Sequence, residues 1–492
     1  KKRSNRKDRL FGCCWLFRRL QIGLIVNIYS AGENRLYDRC SFFNFACMTY
    51  SKQEVLEKSR AQGVQFIDLQ FSDLHGMLKA VTIPVSKLAD ALEDHVWFDG
   101  SSIQGFTRIF ESDMYLKPDL TTFAILPWTK KTNNVTARFI CDVYMPDGSR
   151  FEGDPRYILQ KQVERAARLG FDYYVGPELE FFLFARNGDG ELQTLPHDKG
   201  GYFDQDLDLA AEVRCEMTHA LQEMGVDVEA LHHEVAEGQH EINFKYGLAV
   251  ATADNALTFK HVLKSVASKR GLHATFMPKP VAKINGSGMH VHQSFFSEGK
   301  NVFFDGADTH KLSLLAKQFI AGQMFHIKAM NAIMNPLVNS YKRLVVGYEA
   351  PVNVAWATRN RSALIRIPRI TPGKDQAVRC ELRCPDPTAN PYLAFAVMLA
   401  AGLDGIEKQM EAPEPVEEDI FDFSPKELEK RGIGFVASTL KEAIDELRDN
   451  PVIRAAVGEH SFKVYYAAKT AEWNDYRMQV TQWERDRYLE FY

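Results

Sequence analysis

The run Tyr173–Phe184, YYVGPELEFFLF, constrains this chain more than any other segment. Its length and its aromatic and branched content read as a strand, in which successive side chains alternate between faces. Glu178 and Glu180 therefore share one face, while Leu179 and Phe181 share the other. Two carboxylates side by side repel unless something cationic sits between them. A single pair of this kind is ordinarily a solvated face balanced by Lys or Arg. The pattern recurs. HHEVAEGQHEINF places Glu234 and Glu241 on the two arms of a hairpin that turns at Gly238. GSGMHVHQSFF puts His290, His292 and Ser294 on one strand face, and AVRCELRCPD does the same for Arg379, Glu381 and Arg383. Each segment alone has an ordinary structural explanation, but four with one geometry point to strands converging on a common site.

Five glutamates and His290 would make two oxygen-rich sites. Hard oxygen ligands suit Mg²⁺ or Mn²⁺ better than zinc, and such ions commonly bridge phosphates. A second set is basic. NSYKRLVVGYEAP offers Arg343 beside Glu349, and RNRSALIRIP offers Arg361 and Arg366. Arginine matches carboxylate or phosphate with a planar fork. Surface ion pairing is the alternative, but Arg366 is embedded among Leu364, Ile365, Ile367 and Pro368. Metals with several arginines suggest phosphoryl transfer, which runs on positioning and charge neutralisation. No GxxxxGK[ST] loop is present, and Gly286-Ser287-Gly288 lacks the third glycine of a dinucleotide fingerprint.

Composition sets the frame for that chemistry. The 492 residues allow two or three domains, and 45% hydrophobic with 25% charged residues is a globular balance. A formal net charge of −4 carries no nucleic-acid footprint, and no apolar run approaches the ~18 residues of a membrane span. Residues 1–47 hold 10 of the 60 Lys+Arg and only 3 of the 64 Asp+Glu, which leaves the remainder at −11. That segment reads as an extension, either disordered or not native, upstream of a start at Met48. Its Arg-rich, acid-poor make-up also fits a targeting peptide. The eight cysteines show no CxxC spacing, so neither a zinc site nor a disulfide framework is expected, and the default compartment is the cytoplasm. A capping box at Ser51 and Glu54 starts a helix to Gln62, and Gln65–Phe71 alternates as a strand. Asp154, Pro155 and Gly170 punctuate a second helix with Ile158, Leu159, Val163, Ala166 and Ala167 on its apolar face. The tail from Glu417 reads as helical and charged.

The segments FDGSSIQGF (98–106), GPELEFF (176–182), EVAEGQHEI (234–242), NGSGMHVHQS (285–294), SYKRLVVGYEAP (340–351), NRSALIRIP (360–368) and ELRCPDPTANPYLAF (381–395) together resemble type I glutamine synthetase. They follow that family's order and cover Met48 to Tyr492, whereas nothing in residues 1–47 resembles it. The resemblance implies an α+β fold. A small β-grasp-like domain (48–150) would precede a catalytic domain (151–492) whose curved antiparallel sheet, a partial barrel, is surrounded by helices. It implies a cytoplasmic glutamate–ammonia ligase that uses ATP and two to three Mg²⁺ or Mn²⁺ ions per subunit. It implies a dodecamer of two hexameric rings, with active sites between subunits and small regulatory proteins among the partners. By motif, one metal would take Glu180, Glu234 and Glu241, and the other Glu178, His290 and Glu381. Glutamate would be held by Asn285, Gly286, Arg343, Glu349 and Arg383. ATP would meet Glu229, His292, Ser294, Arg361, Arg366 and Arg379. Asp99 of a neighbouring subunit would deprotonate ammonium, and Glu349 would ride on a flap.

Some positions depart from that pattern. Val346 stands where the family usually has Pro, and Phe110 where it usually has Glu. Phe421 occupies the place of the tyrosine adenylylated in some bacterial members, so no adenylylation is expected. Arg108 resembles the residue by which feedback-inhibited members sense glutamine. Two other functions remain open at this stage. One is a γ-glutamylpolyamine or γ-glutamylanilide synthetase of the same fold, against which the intact FDGSS argues. The other is a non-catalytic relative, against which the complete set of metal and phosphate-facing residues argues.

Overall fold

The computed structural model describes residues 50–103, 113–348 and 350–492. The features expected at 1–47, Met48, Arg108, Phe110 and Glu349 lie outside the described residues.

Helix α1 (Lys52–Ala61) starts at the expected capping box, with the Ser51 amide donating to the Glu54 carboxylate at 2.7 Å. Strands β1 (Phe66–Ser72) and β2 (Leu78–Pro84) follow, then α2 (Leu88–Glu93), β3 (Val96–Asp99), β4 (Asp113–Pro118), β5 (Ala124–Ile125) and β6 (Thr136–Tyr144). The strands form a six-stranded sheet ordered β2-β1-β6-β4-β3, with β5 beside β6. The β1–β6 pair is parallel. Val55 of α1 and Leu88 and Leu92 of α2 close over Ile67, Leu69, Phe139 and Val143, giving this sheet its own core.

Asp154 caps α3 (Pro155–Arg168), accepting from the Arg156 amide at 3.0 Å. Gly170 follows at φ +88°, the left-handed conformation that ends helices. Ile158, Leu159 and Ala166 are buried as expected, but Ala167 is exposed. Val163, one turn before Ala167 on the same side of the helix, is only half-buried, so that side is the edge of the buried stripe and Ala167 falls outside it.

The larger sheet is built around β7 (Asp172–Arg186). In chain order come β8 (Leu192–Pro196), α4 (Ala211–Glu223), β9 (Val228–His233), β10 (Gln239–Phe244), β11 (Gly247–Leu248), α5 (Ala249–Lys269), β12 (Leu272–Thr275), β13 (Met289–Ser297) and β14 (Lys300–Asn301). Then follow α6 (Leu314–Met334), α7 (Ser340–Arg343), β15 (Asn353–Ala357), β16 (Ala363–Arg366), β17 (Cys380–Leu382) and α8 (Pro391–Glu407). The 11-stranded sheet runs β15-β16-β17-β13-β7-β10-β9, with β8, β11 and β12 also on β7 and β14 on β13. It is a curved half-barrel with helices packed around it. Its strands pair antiparallel as expected, except that β15 and β16 run parallel. Helix α8 is buried on nearly every side, from Pro391 to Gly405, as suits a helix wrapped by its neighbours. The tail is helical over Pro425–Lys430, Leu440–Asp449, Pro451–Val457, Glu459–Tyr476 and Gln482–Tyr488. No helix of the described residues is long and apolar enough to cross a membrane.

One buried ion network ties the two sheets together. Arg156 on α3 reaches Asp119 and Asp142 of the first sheet region at 2.6 Å each, and Asp254 on α5 at 2.9 Å. Tyr392 on α8 donates to Asp254 at 2.6 Å. Burial alone would raise the Asp119 carboxyl, but the charge of Arg156 holds it below its usual value. Removing the guanidinium would leave three largely buried aspartates close together, with Asp142 keeping Arg150 at 3.2 Å. Arg156→Ala is expected to cost roughly 3–5 kcal/mol, seen as a lower denaturation midpoint; an unchanged midpoint would show that the network is not holding the sheets together.

Candidate active site

Strand register decides which side chains meet. Glu178 on β7 stands opposite His290 on β13, and Glu180 opposite Glu241 on β10. His292 on β13 and Arg366 on β16 both stand opposite Glu381 on β17. Directly paired residues project to one face of a sheet, so these seven residues share a face. The other face of β7 carries Leu179, Phe181 and Leu183, all fully buried. Each contributes about 1.5–3 kcal/mol by leaving water. A one-residue slip would carry the carboxylates into that core, so apolar burial enforces the site's register. Beyond Glu180 the site face itself turns apolar: Phe182 and Phe184 pack with Ala236 against Val281 and Ile284.

Glu178, His290 and Glu381 form one compact group, each offering a ligand atom within 4.8 Å of the others. Arg379 Nε donates to His292 Nδ1 at 3.1 Å, so His292 Nε2 carries the proton and donates to Glu178 at 2.9 Å. Burial would raise the Glu178 carboxyl, but hydrogen bonds from His290 and His292 hold it well below the usual range. Burial is likewise overridden at Glu381 by His292, Arg383, His290 and Arg366, whose Nε lies 3.0 Å away. Burial and the Arg383 charge push His290 down to about 4, leaving a neutral imidazole at pH 7.

The second group is His232, Glu234 and Glu241. His232 lies 3.5 Å from Glu234 and 3.9 Å from Glu241. Sequence reasoning placed Glu180 here and passed over His232. The hairpin register sets His232 directly opposite Glu241, whereas the Glu180 carboxylate accepts from Gln239 Nε2 at 2.8 Å and the Gly288 amide at 2.9 Å. Glu180 still shares a pocket with Glu234. Burial and the facing Glu241 push Glu180 up to about 8, and burial with Glu178 and Glu234 does the same to Glu241. Buried carboxylates crowded in this way are relieved by a divalent cation. Both groups, carboxylate oxygens with an imidazole, fit the expected Mg²⁺ or Mn²⁺. A third group, Asp198, His233 and His240, is buried, with His240 Nδ1 2.9 Å from Arg214. His233 meets Asp198 at 2.9 Å, and Asp198 accepts from the Gly238 amide at 2.9 Å, which braces the hairpin. Gly238 itself turns at φ +68°, where a Cβ would stand 2.7 Å from Pro196 Cβ.

The pocket beside these groups is lined by the expected Asn285, Gly286, Arg343 and Arg383, with Glu180, Glu234 and His290. Arg343 is buried, donating to the carbonyls of Cys384 at 2.8 Å and Arg383 at 3.2 Å. A Cβ on Gly288 would come within 2.4 Å of the Arg343 guanidinium, so glycine there makes room for it. Gln239, Tyr348 and Ala350 also line the pocket and were not singled out in the sequence. The sequence already held Gln239 between the candidate ligands Glu234 and Glu241. Ser294 is buried further along β13, on the face of His290 and His292. Arg361, in the β15–β16 connection, and Glu229 on β9 are exposed. Asp99 is exposed at the end of edge strand β3, accepting from the Ser101 amide at 2.8 Å. None of these last three lines the pocket.

Residues 152–488 match the family model described as glutamine synthetase, catalytic domain, and residues 63–146 match glutamine synthetase, beta-Grasp domain. The chain belongs to the glutamine synthetase family. It is 52% identical over 450 residues to a glutamine synthetase of Thermus thermophilus, covering 90% of this chain and 100% of that protein. It is 51% identical over 440 residues to one of Methanosarcina mazei, covering 89% and 98%. The solved structure of a GmaS/ADP complex superposes with a TM-score of 0.80 at 33% identity, covering 90% of this chain and 100% of that one. The α+β class, with a β-grasp sheet ahead of a curved half-barrel, agrees with these matches.

The raised carboxyls have a thermodynamic signature. Unfolded glutamates titrate near ~4.3, so between about pH 5 and 8 the folded chain binds more protons than the unfolded one and its stability without cations falls as pH rises. A divalent cation that binds only the ionised folded form reverses the trend. Glu241→Gln removes one of the crowded charges. In chelator at pH 8 this variant is expected to melt no lower than the parent, while gaining less from added Mg²⁺ or Mn²⁺. Thermal melts with and without cation check this; a variant that melts lower in chelator contradicts it.

Proposed function

We propose that this chain ligates ammonium to L-glutamate at the expense of ATP, giving L-glutamine, ADP and phosphate through γ-glutamyl phosphate. It is a glutamate–ammonia ligase, and its place is nitrogen assimilation. The observation that carries this reading is the convergence of two carboxylate–imidazole groups with Arg343 and Arg383 on one pocket, in a chain about half identical to glutamine synthetases along most of its length.

The cations would be held by Glu178, His290 and Glu381 on one side, and by Glu234 and Glu241 with Glu180 or His232 on the other. Bound there, they supply neutralisation of the ATP phosphates. The remaining steps belong to side chains. Arg343 and Arg383, with Asn285, Gly286 and Glu349, hold and orient glutamate so that its γ-carboxylate faces the terminal phosphate. His292, Ser294, Arg366, Arg379, Glu229 and Arg361 take the nucleotide, with Arg361 reaching the transferred phosphoryl group. Asp99, supplied by a neighbouring subunit, accepts a proton from ammonium, and the ammonia released attacks the acyl phosphate. Water must be excluded while that intermediate exists, and Glu349, as part of a covering flap, serves this. Asp99 is exposed and lies away from the pocket of its own chain, which supports a role for it in a neighbouring subunit.

The finer reading is a cytoplasmic dodecamer of two hexameric rings, divided at 48–150 and 151–492, with two to three Mg²⁺ or Mn²⁺ ions per subunit and small regulatory proteins among its partners. Phe421 in place of a modifiable tyrosine and Arg108 in GFTRIFESD support the non-adenylylated, glutamine-inhibited subtype.

ATP turnover with ammonium, putrescine and ethanolamine tests the choice of amine. Ammonium is expected to be used fastest, and faster turnover with either organic amine overturns the assignment. A parallel assay takes up regulation: glutamine should inhibit the parent and leave Arg108→Ala largely active, whereas equal inhibition of both removes Arg108 as the sensor.

A further inference from the structure

We propose that Lys279 is a positioning residue that joins the two sides of the glutamate pocket and sets the stance of Tyr348 over it. The inference rests on the reading of the pocket given above. Lys279 lies in the connection between β12 and β13, outside every metal group. Its amide donates to Asn339 Oδ1 at 2.8 Å, and Asn339 Nδ2 donates back to its carbonyl at 3.0 Å. Asn339 is the residue before α7, and α7 ends in Arg343. Next to Lys279, the Pro278 carbonyl accepts from the Ser287 amide at 2.8 Å. One two-residue segment is thus fastened both to the helix that carries Arg343 and to the turn that carries Asn285 and Gly286.

The side chain extends that link. Its stem passes under Gly286, where a Cβ would stand 3.3 Å from Lys279 Cδ and 2.2 Å from the Pro278 carbonyl. Its ammonium donates to the Ile284 carbonyl and lies 3.9 Å from the centre of the Tyr348 ring. Tyr348 follows an exposed Val346 and a Gly347 at φ +92°, so the residues before it do little to hold it. A cation seated over an aromatic face, with one donor held by a backbone carbonyl, supplies both attraction and direction. Lys279 acts on glutamate through Tyr348 and the Asn285–Gly286 turn, and the nucleotide residues on β13 and β17 lie outside this linkage.

The test uses the full chain and measures kcat, and KM for glutamate and for ATP, in the parent, Lys279→Met, Lys279→Arg, Tyr348→Leu and the Lys279→Met/Tyr348→Leu double variant. Lys279→Met is expected to raise the glutamate KM roughly tenfold, the scale of one such contact, with the ATP KM within about twofold and the melting temperature close to the parent's. Lys279→Arg keeps a cation over the ring and should recover most of the loss. In the Tyr348→Leu background Lys279→Met should add less than it does in the parent, since the contact with the ring can be lost only once. Equal rises in both KM values, or effects that multiply in the double variant, overturn the proposal. A parent that forms no glutamine from glutamate and ammonium would refute the function itself; an active parent whose glutamate KM ignores Lys279→Met refutes only this inference.

Discussion

The site depends on one strand being unable to slide. In β7 the side chains of Leu179, Phe181 and Leu183 fill the main core while Glu178 and Glu180 face the opposite way. Because the period of a strand is two, the apolar residues and the carboxylates are locked in antiphase. Burial of the first set therefore delivers the second to the same place in every folded molecule. The neighbours β10, β13 and β17 inherit that register through their pairing, and each adds polar groups to the face that β7 defines.

Gathering carboxylates in this way has an electrostatic cost, and the surrounding residues divide it unevenly. Around Glu178 and Glu381 the neighbours are cationic or proton-donating: His292 held by Arg379, together with Arg366 and Arg383. Those two carboxylates are held ionised. Around Glu180 and Glu241, burial and the crowding of carboxylates outweigh the charge of Arg343 and the amides of Gln239 and Gly288, so both acids are pushed up to about 8. The half of the site poor in cationic side chains is the half that gains most from an added cation. The Arg156 network does opposite work elsewhere, where one buried guanidinium gathers three aspartates from both sheet regions.

Much of the local structure was legible in the sequence because short-range physics governs it. The capping box at Ser51, the Asp154 cap and the Gly238 turn each depend on residues within a few positions. The error at Ala167 came from the same source: periodicity marks a helix's apolar stripe, but its width is set by what packs against it. The parallel pairing of β15 and β16 and the entry of His232 into the second group were likewise invisible locally, since both follow from how distant strands align.

By itself, the sequence determined the residue types and spacing of the site and, through its motifs, the glutamine synthetase family. Alternation alone put Glu178 with Glu180 and His290 with His292, because the strand period needs no tertiary information. Only the tertiary structure decided which of these alternating sets face each other. It joined Glu381 to Glu178 through β13, drew Glu180 onto Gln239 and Gly288, and brought Lys279 beneath Gly286 and against Tyr348. The reason is physical. Alternation belongs to one chain segment, but register between segments is set by the sum of apolar burial over the whole core, which no single motif contains.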